Sequence, residues 1–71
     1  MKYLIVIERA KKNYSAYAPD LPGCIATGKT PADVRKRVRE AIGFHIQGLR
    51  EDGLPVPPPT SSNEYVQLKV A

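Results

Sequence analysis

The chain carries seven carboxylates, one histidine and one cysteine, and any chemistry would have to rest on these residues. The acids are Glu8, Asp20, Asp33, Glu40, Glu51, Asp52 and Glu64. A two-metal nuclease needs several carboxylates converging on divalent ions about 4 Å apart. Here Glu8 ends a strand, Asp20 sits in a turn and the helix acids fall on the solvent side, so the spacing predicts no metal site, no cofactor and no catalytic cluster. Asp20 reads as a turn former that bonds nearby backbone N–H groups. His45 falls inside an apolar helical arc without a companion nucleophile, which reads as a packed histidine; the alternative is a pH-dependent interface contact. Cys24 opens a short strand and reads as a small buried filler rather than a reactive thiol. As the single cysteine, it also excludes an intramolecular disulfide.

The elements that must position these groups follow from local signals. Residues 2–9 alternate Tyr3, Ile5, Ile7 with Leu4, Val6, Glu8, apolar on both faces, which predicts a central strand. A polar hairpin at 10–13, with Asn13 suited to positive φ, returns the chain antiparallel over 14–18. Pro22-Gly23 suits a type II turn, and 24–27 forms a short third strand. Thr30 is then a good helix N-cap, Pro31 fits the first helical position and Asp33 the third. The helix is predicted over about 31–52, with Val34, Val38, Ala41, Ile42, His45 and Leu49 on one arc and Phe44 and Ile46 at its margins. Gly53 is the expected left-handed stop. Gly43 and Gly48 weaken the helix and suggest close backbone approach. Residues 54–59, rich in proline, predict an extended spacer back to the sheet. A last strand is expected over 64–70, where Val66, Leu68 and Val70 alternate with Tyr65, Gln67 and Lys69. A long crossover of this kind places that strand parallel to a neighbour, the first strand being the candidate. The expected fold is therefore α+β, with order β-β-β-α-β and one long helix packed on one face of a mixed sheet.

Seventy-one residues make a single domain with little interior, so a ligand or partner meets an open surface. The apolar run at 3–7 is far shorter than the roughly 20 residues that cross a bilayer, and nothing resembles a secretory signal; a soluble cytoplasmic protein with no membrane contact is expected. The formal charge of +4 suits an acidic or nucleic-acid partner, and equally suits mere solubility. One helix covers one sheet face, yet the first strand is apolar on both. A homodimer or higher oligomer, joined face to face or edge to edge, is the simplest cover, with an unrelated protein partner next.

Three runs carry a family resemblance: YSAYAPDLPGC over 14–24, TGKTP over 27–31 and EAIGFHIQGLREDGLPVP over 40–57. In this order they resemble the HicB family of antitoxins and HicB-like proteins across about residues 2–58. The resemblance implies a partial ribonuclease H-like fold and a role as the neutralising half of a type II toxin–antitoxin pair, whose toxin, HicA, is a small RNA-cleaving protein. Many members carry a DNA-binding segment after this domain. Here the chain reaches Ala71 directly after the last strand, so DNA binding by this chain alone is not expected. The partner-binding surface expected from this resemblance is the turn and third strand plus the exposed helix face, through Asp20, Leu21, Cys24, Ala26, Arg35 and Arg39. The alternative reading, a stand-alone RNA- or DNA-binding domain, uses Lys11, Lys12, Lys29, Arg35, Lys36, Arg39 and Arg50 as a basic stripe. An orphan HicB-like protein of other function is a further alternative, and catalysis by this chain is not expected.

Overall fold

The helix begins where the local chemistry requires it. In the computed structural model, which describes residues 1–70, Thr30 is extended at φ −129° and its hydroxyl accepts the Asp33 N–H at 3.0 Å, with Pro31 in the first turn. The helix α1 (Pro31–Glu51) follows three antiparallel strands, β1 (Val6–Arg9), β2 (Tyr14–Tyr17) and β3 (Ile25–Gly28), which lie in the sheet order β1-β2-β3. Its far end closes with Gly53 at φ 68°, where the Gly53 N–H donates to the Arg50 carbonyl and the Leu54 N–H to that of Leu49 at 2.8 Å. This paired arrangement satisfies carbonyls that the last turn would leave open.

The core lies between the sheet and one face of α1. Val34 and Val38 pack on Ala16, with Ile5, Tyr14 and Ala26 around them. Helix and sheet meet most tightly at Gly28, where a Cβ would fall 2.7 Å from the Val34 nitrogen. Gly28 is thus the close-approach glycine. The helical glycines are not: added Cβ atoms at Gly43 and Gly48 meet nothing within 4 Å. Phe44, expected at the margin of the apolar arc, is exposed, because its position on the helical wheel turns it away from Val34 and Val38. The hairpin at 10–13 closes through the Ala10 N–H to the Asn13 carbonyl at 2.9 Å, and Asn13 keeps a negative φ.

The α+β class, the β-β-β-α order and the helix on one face agree with expectation, and two placements differ. β1 is shorter than residues 2–9 and lies at the sheet edge rather than its centre. Its register pairs Val6 with Tyr17, and because the Ala18 N–H belongs to the β3 side, donating to the Cys24 carbonyl at 3.2 Å, the next residue turned toward β1 is Pro19, which has no N–H to give. The segment expected as a strand over 64–70 joins no ladder among the described residues, and every one of its residues is exposed. With no strand beside it, β1 remains an edge.

The spacer at 54–59 does run back to the sheet, and the Tyr3 hydroxyl donates to the Pro57 carbonyl on its way. Two glycine substitutions should separate the two kinds of helix-associated glycine in thermal or urea unfolding. Gly43→Ala, into open space, should stabilise the domain by up to about 1 kcal/mol. Gly28→Ala should destabilise it by roughly 1–3 kcal/mol, because the helix start must move.

Candidate functional site

The turn between β2 and β3 is built from the inside outward. Ala18, Leu21 and Cys24 form a buried cluster, and Tyr3, Ala41, Ile42 and Ile46 pack against it. The backbone closes through the Leu21 N–H to the Ala18 carbonyl at 3.0 Å and the Cys24 N–H to the Leu21 carbonyl at 3.1 Å. Pro22 and Gly23 form the exposed tip, Gly23 at φ 83°. Leu21 at 0 % and Cys24 at 4 % exposure therefore hold the turn on the helix and cannot touch a partner, which corrects their assignment to a binding surface. The reason is the second half of α1, which passes over this turn and buries what a loop would otherwise present. Burial also pushes the Cys24 thiol upward in pKa, away from the reactive thiolate. Ala26 is half-buried toward Val34 and Val38.

Asp20 is likewise occupied, though not as a local turn former. The Leu21 and Cys24 N–H groups already have backbone acceptors and Pro22 has none to give, and the Asp20 carboxylate reaches across the sequence. Oδ2 accepts the backbone N–H groups of Thr60 at 3.0 Å and Ser61 at 2.9 Å; Oδ1 accepts their hydroxyls at 3.1 and 2.7 Å. The Ser61 N–H and then its hydroxyl, with Thr60 adding, hold the Asp20 pKa below the usual carboxylate value. The missed signal was the Thr60-Ser61 pair directly after the proline run, which supplies four donors in two residues.

The basic residues are all on the surface. Lys11, Lys12, Lys29, Arg35, Lys36, Arg39 and Arg50 are exposed. Lys12 and Lys29 share a concavity at the hairpin end with Arg37, a residue absent from the expected set. Arg37 Nη1 donates to the Thr27 carbonyl at a long 3.4 Å. Arg35, Arg39 and Lys2 instead flank an apolar groove of about 440 Å³ between the start of the chain and the helix, with Met1, Tyr3, Ile5, Val38 and Ile42 in its walls. On the other sheet face the register aligns Val6, Tyr17 and Ile25 as cross-strand neighbours. Ile25 is 62 % exposed, and no helix lies over this face.

Among the described residues, no three of the His, Cys, Asp and Glu side chains come together where they could hold a metal ion. Among the described residues, likewise, no helix is long and apolar enough to cross a membrane. Leu21→Ala should lose about 2–5 kcal/mol in urea unfolding; a change confined to binding would return Leu21 to a partner surface. The Asp20 clamp should stabilise the fold fully above the ordinary aspartate pKa, about 3.9. Its contribution should disappear as pH falls through the lower folded-state value. Exchange protection of the Thr60 and Ser61 amides, followed against pH and in Asp20→Ala, reads this directly.

Comparison with known proteins agrees with this architecture. The family model for the HicB-like antitoxin of bacterial toxin–antitoxin systems matches residues 3–69. An uncharacterized 14.9 kDa protein from the rep-hol intergenic region of Haemophilus phage HP1 is 36 % identical over 66 residues, 93 % of this chain and 50 % of the phage protein. The chain thus spans half the length of that relative. A UPF0150 protein of Thermoplasma acidophilum is 33 % identical over 58 residues, 80 % of this chain and 84 % of its own length. Among solved structures, a chain of a HicA3 and HicB3 toxin–antitoxin complex superposes with a TM-score of 0.72 at 38 % identity, over 83 % of this chain and 70 % of that one. Matched along nearly its whole length by the family model, the chain belongs to the HicB-like antitoxin family of bacterial toxin–antitoxin systems.

Proposed function

We propose that this chain neutralises a HicA-type RNA-cleaving toxin by direct protein contact in the cytoplasm, without catalytic activity of its own. The observation that carries this reading is its likeness, at 38 % identity, to a chain from a solved toxin–antitoxin complex. Supporting it, the carboxylates are dispersed: Glu8 ends β1, Asp20 is clamped by Thr60 and Ser61, and Asp33 lies in the first turn of α1. A domain that works by covering another protein needs surface rather than a pocket, and two surfaces are available.

The first is the exposed helix side with Arg35 and Arg39; the second is the bare sheet face around Ile25, beside the Pro22-Gly23 tip. The reading includes self-association of the chain as a dimer or higher oligomer, because the sheet face opposite α1 carries the row Val6, Tyr17 and Ile25, next to the polar row Glu8, Ser15 and Thr27, with no helix over it. Co-purification of the tagged chain with the product of the adjacent gene, followed by an RNA-cleavage assay, tests it. A stoichiometric complex with suppressed cleavage is expected; absence of any complex overturns the antitoxin reading. Arg39→Glu should keep the helical circular dichroism and weaken toxin capture about tenfold, equivalent to about 1.4 kcal/mol.

A nucleic-acid reading is favoured by one feature, the convergence of Lys12, Lys29 and Arg37 on a single concavity. It predicts RNA affinity that falls steeply as salt rises. Flat salt dependence in a binding titration removes it.

A further inference from the structure

The segment after the Asp20 clamp has the pattern of a strand and the exposure of a tail. Tyr65 is 95 %, Val66 75 %, Leu68 76 % and Val70 85 % exposed, so both alternating sets of side chains stand in solvent. A period-2 apolar run with no ladder is an unusual thing for a small domain to present. The same chain has the complementary vacancy. β1 is the sheet edge, and its outer side has no strand beside it among the described residues. Next to it runs the groove with Ile5, Val38 and Ile42 in its walls. This groove exists because α1 lies mainly over β3 and β2 and least over β1.

We infer that residues 64–70 of one chain add as a strand to the β1 edge of a second copy, reciprocally, so that Val66, Leu68 and Val70 roof each partner's groove. The start of the tail lies at the chain's own edge, and the exposure of the rest chooses a second copy. The Asp20 clamp ties Thr60 and Ser61 to the end of the sheet where β1 begins. Asn63, Glu64 and Tyr65 then come beside residues 4–7. From Val66 to Val70 the apolar side chains are at least 75 % exposed, and the molecule extends to 53 Å along its longest axis, against about 31 Å for α1. Donor strand and acceptor edge therefore start at one place on one chain. A two-fold arrangement sets each donor against the other's acceptor, which is the condition for a closed, isologous dimer. Backbone pairing supplies the affinity, and the alternation decides which side chains enter the groove.

This deepens the self-association stated above and rests on it, and the test separates the two. The full chain and its Val66→Asp/Leu68→Asp variant are compared by light scattering after size exclusion, with amide exchange along 64–70 and far-ultraviolet circular dichroism. Both substituted positions are exposed, so the helical signal should survive. The expected result is twice the 7.8 kDa chain mass with protected tail amides for the full chain, falling to the single-chain mass with protection lost in the variant. A single-chain mass for the unaltered chain overturns both statements, and protected tail amides in that case would place the strand on its own β1. A double mass that survives the two aspartates leaves self-association standing and overturns strand exchange. A double mass that survives while toxin capture is lost likewise overturns the exchange and moves the tail to the toxin interface.

Discussion

One helix can cover only one face of a sheet, and everything else in this molecule follows from that limit. The fully buried set is small: Ala16, Ala18, Leu21, Cys24, Val34 and Val38. Three of the six are alanine or cysteine, so the helix must sit close to the sheet for the core to exclude water at all. Gly28 is what permits this. Removing one Cβ from β3 lets the first turns of α1 descend until Val34 and Val38 reach Ala16. The other face, with Ile25 and its neighbours, is left to be covered by something else, as is the groove at the β1 side.

The tertiary ties compensate for so modest a core. Tyr3 holds the spacer at Pro57, and Asp20 holds it again at Thr60 and Ser61. Both ties join residues flanking the strands, Tyr3 ahead of β1 and Asp20 in the turn between β2 and β3, to a segment that has no secondary structure of its own. Proline already limits the freedom of the spacer before folding, so these few hydrogen bonds order it against a reduced entropic cost. The clamp also explains why an aspartate near the surface of this turn is unavailable to a partner: all its strong acceptor directions are directed inward to the chain.

The legible parts of the fold were those determined by two to six consecutive residues. Thr30-Pro31 marked the helix start, Gly53 its end and Pro22-Gly23 the turn, because capping and positive φ are local requirements. The misread parts depended on partners far along the chain. Whether β1 is central depends on residues 64–70, and the use of Asp20 depends on residues forty positions later. Cys24 was legible as a buried filler, but the surface role that the resemblance implied for Leu21 and Cys24 was not borne out, because both are buried under the second half of α1, which no local pattern announces. For the basic residues, exposure was readable from the helical period, but grouping was not. Arg37 joined Lys12 and Lys29 only once the hairpin and the helix start were set side by side.

The close seat at Gly28 makes α1 a beam pinned at two stations. Its first turns rest on Ala16 through Val34 and Val38, and its second half rests on the Ala18, Leu21 and Cys24 cluster through Ala41, Ile42 and Ile46. A beam fixed at both places keeps its outer residues at constant spacing, so the helix surface offered to another protein is set before any contact is made.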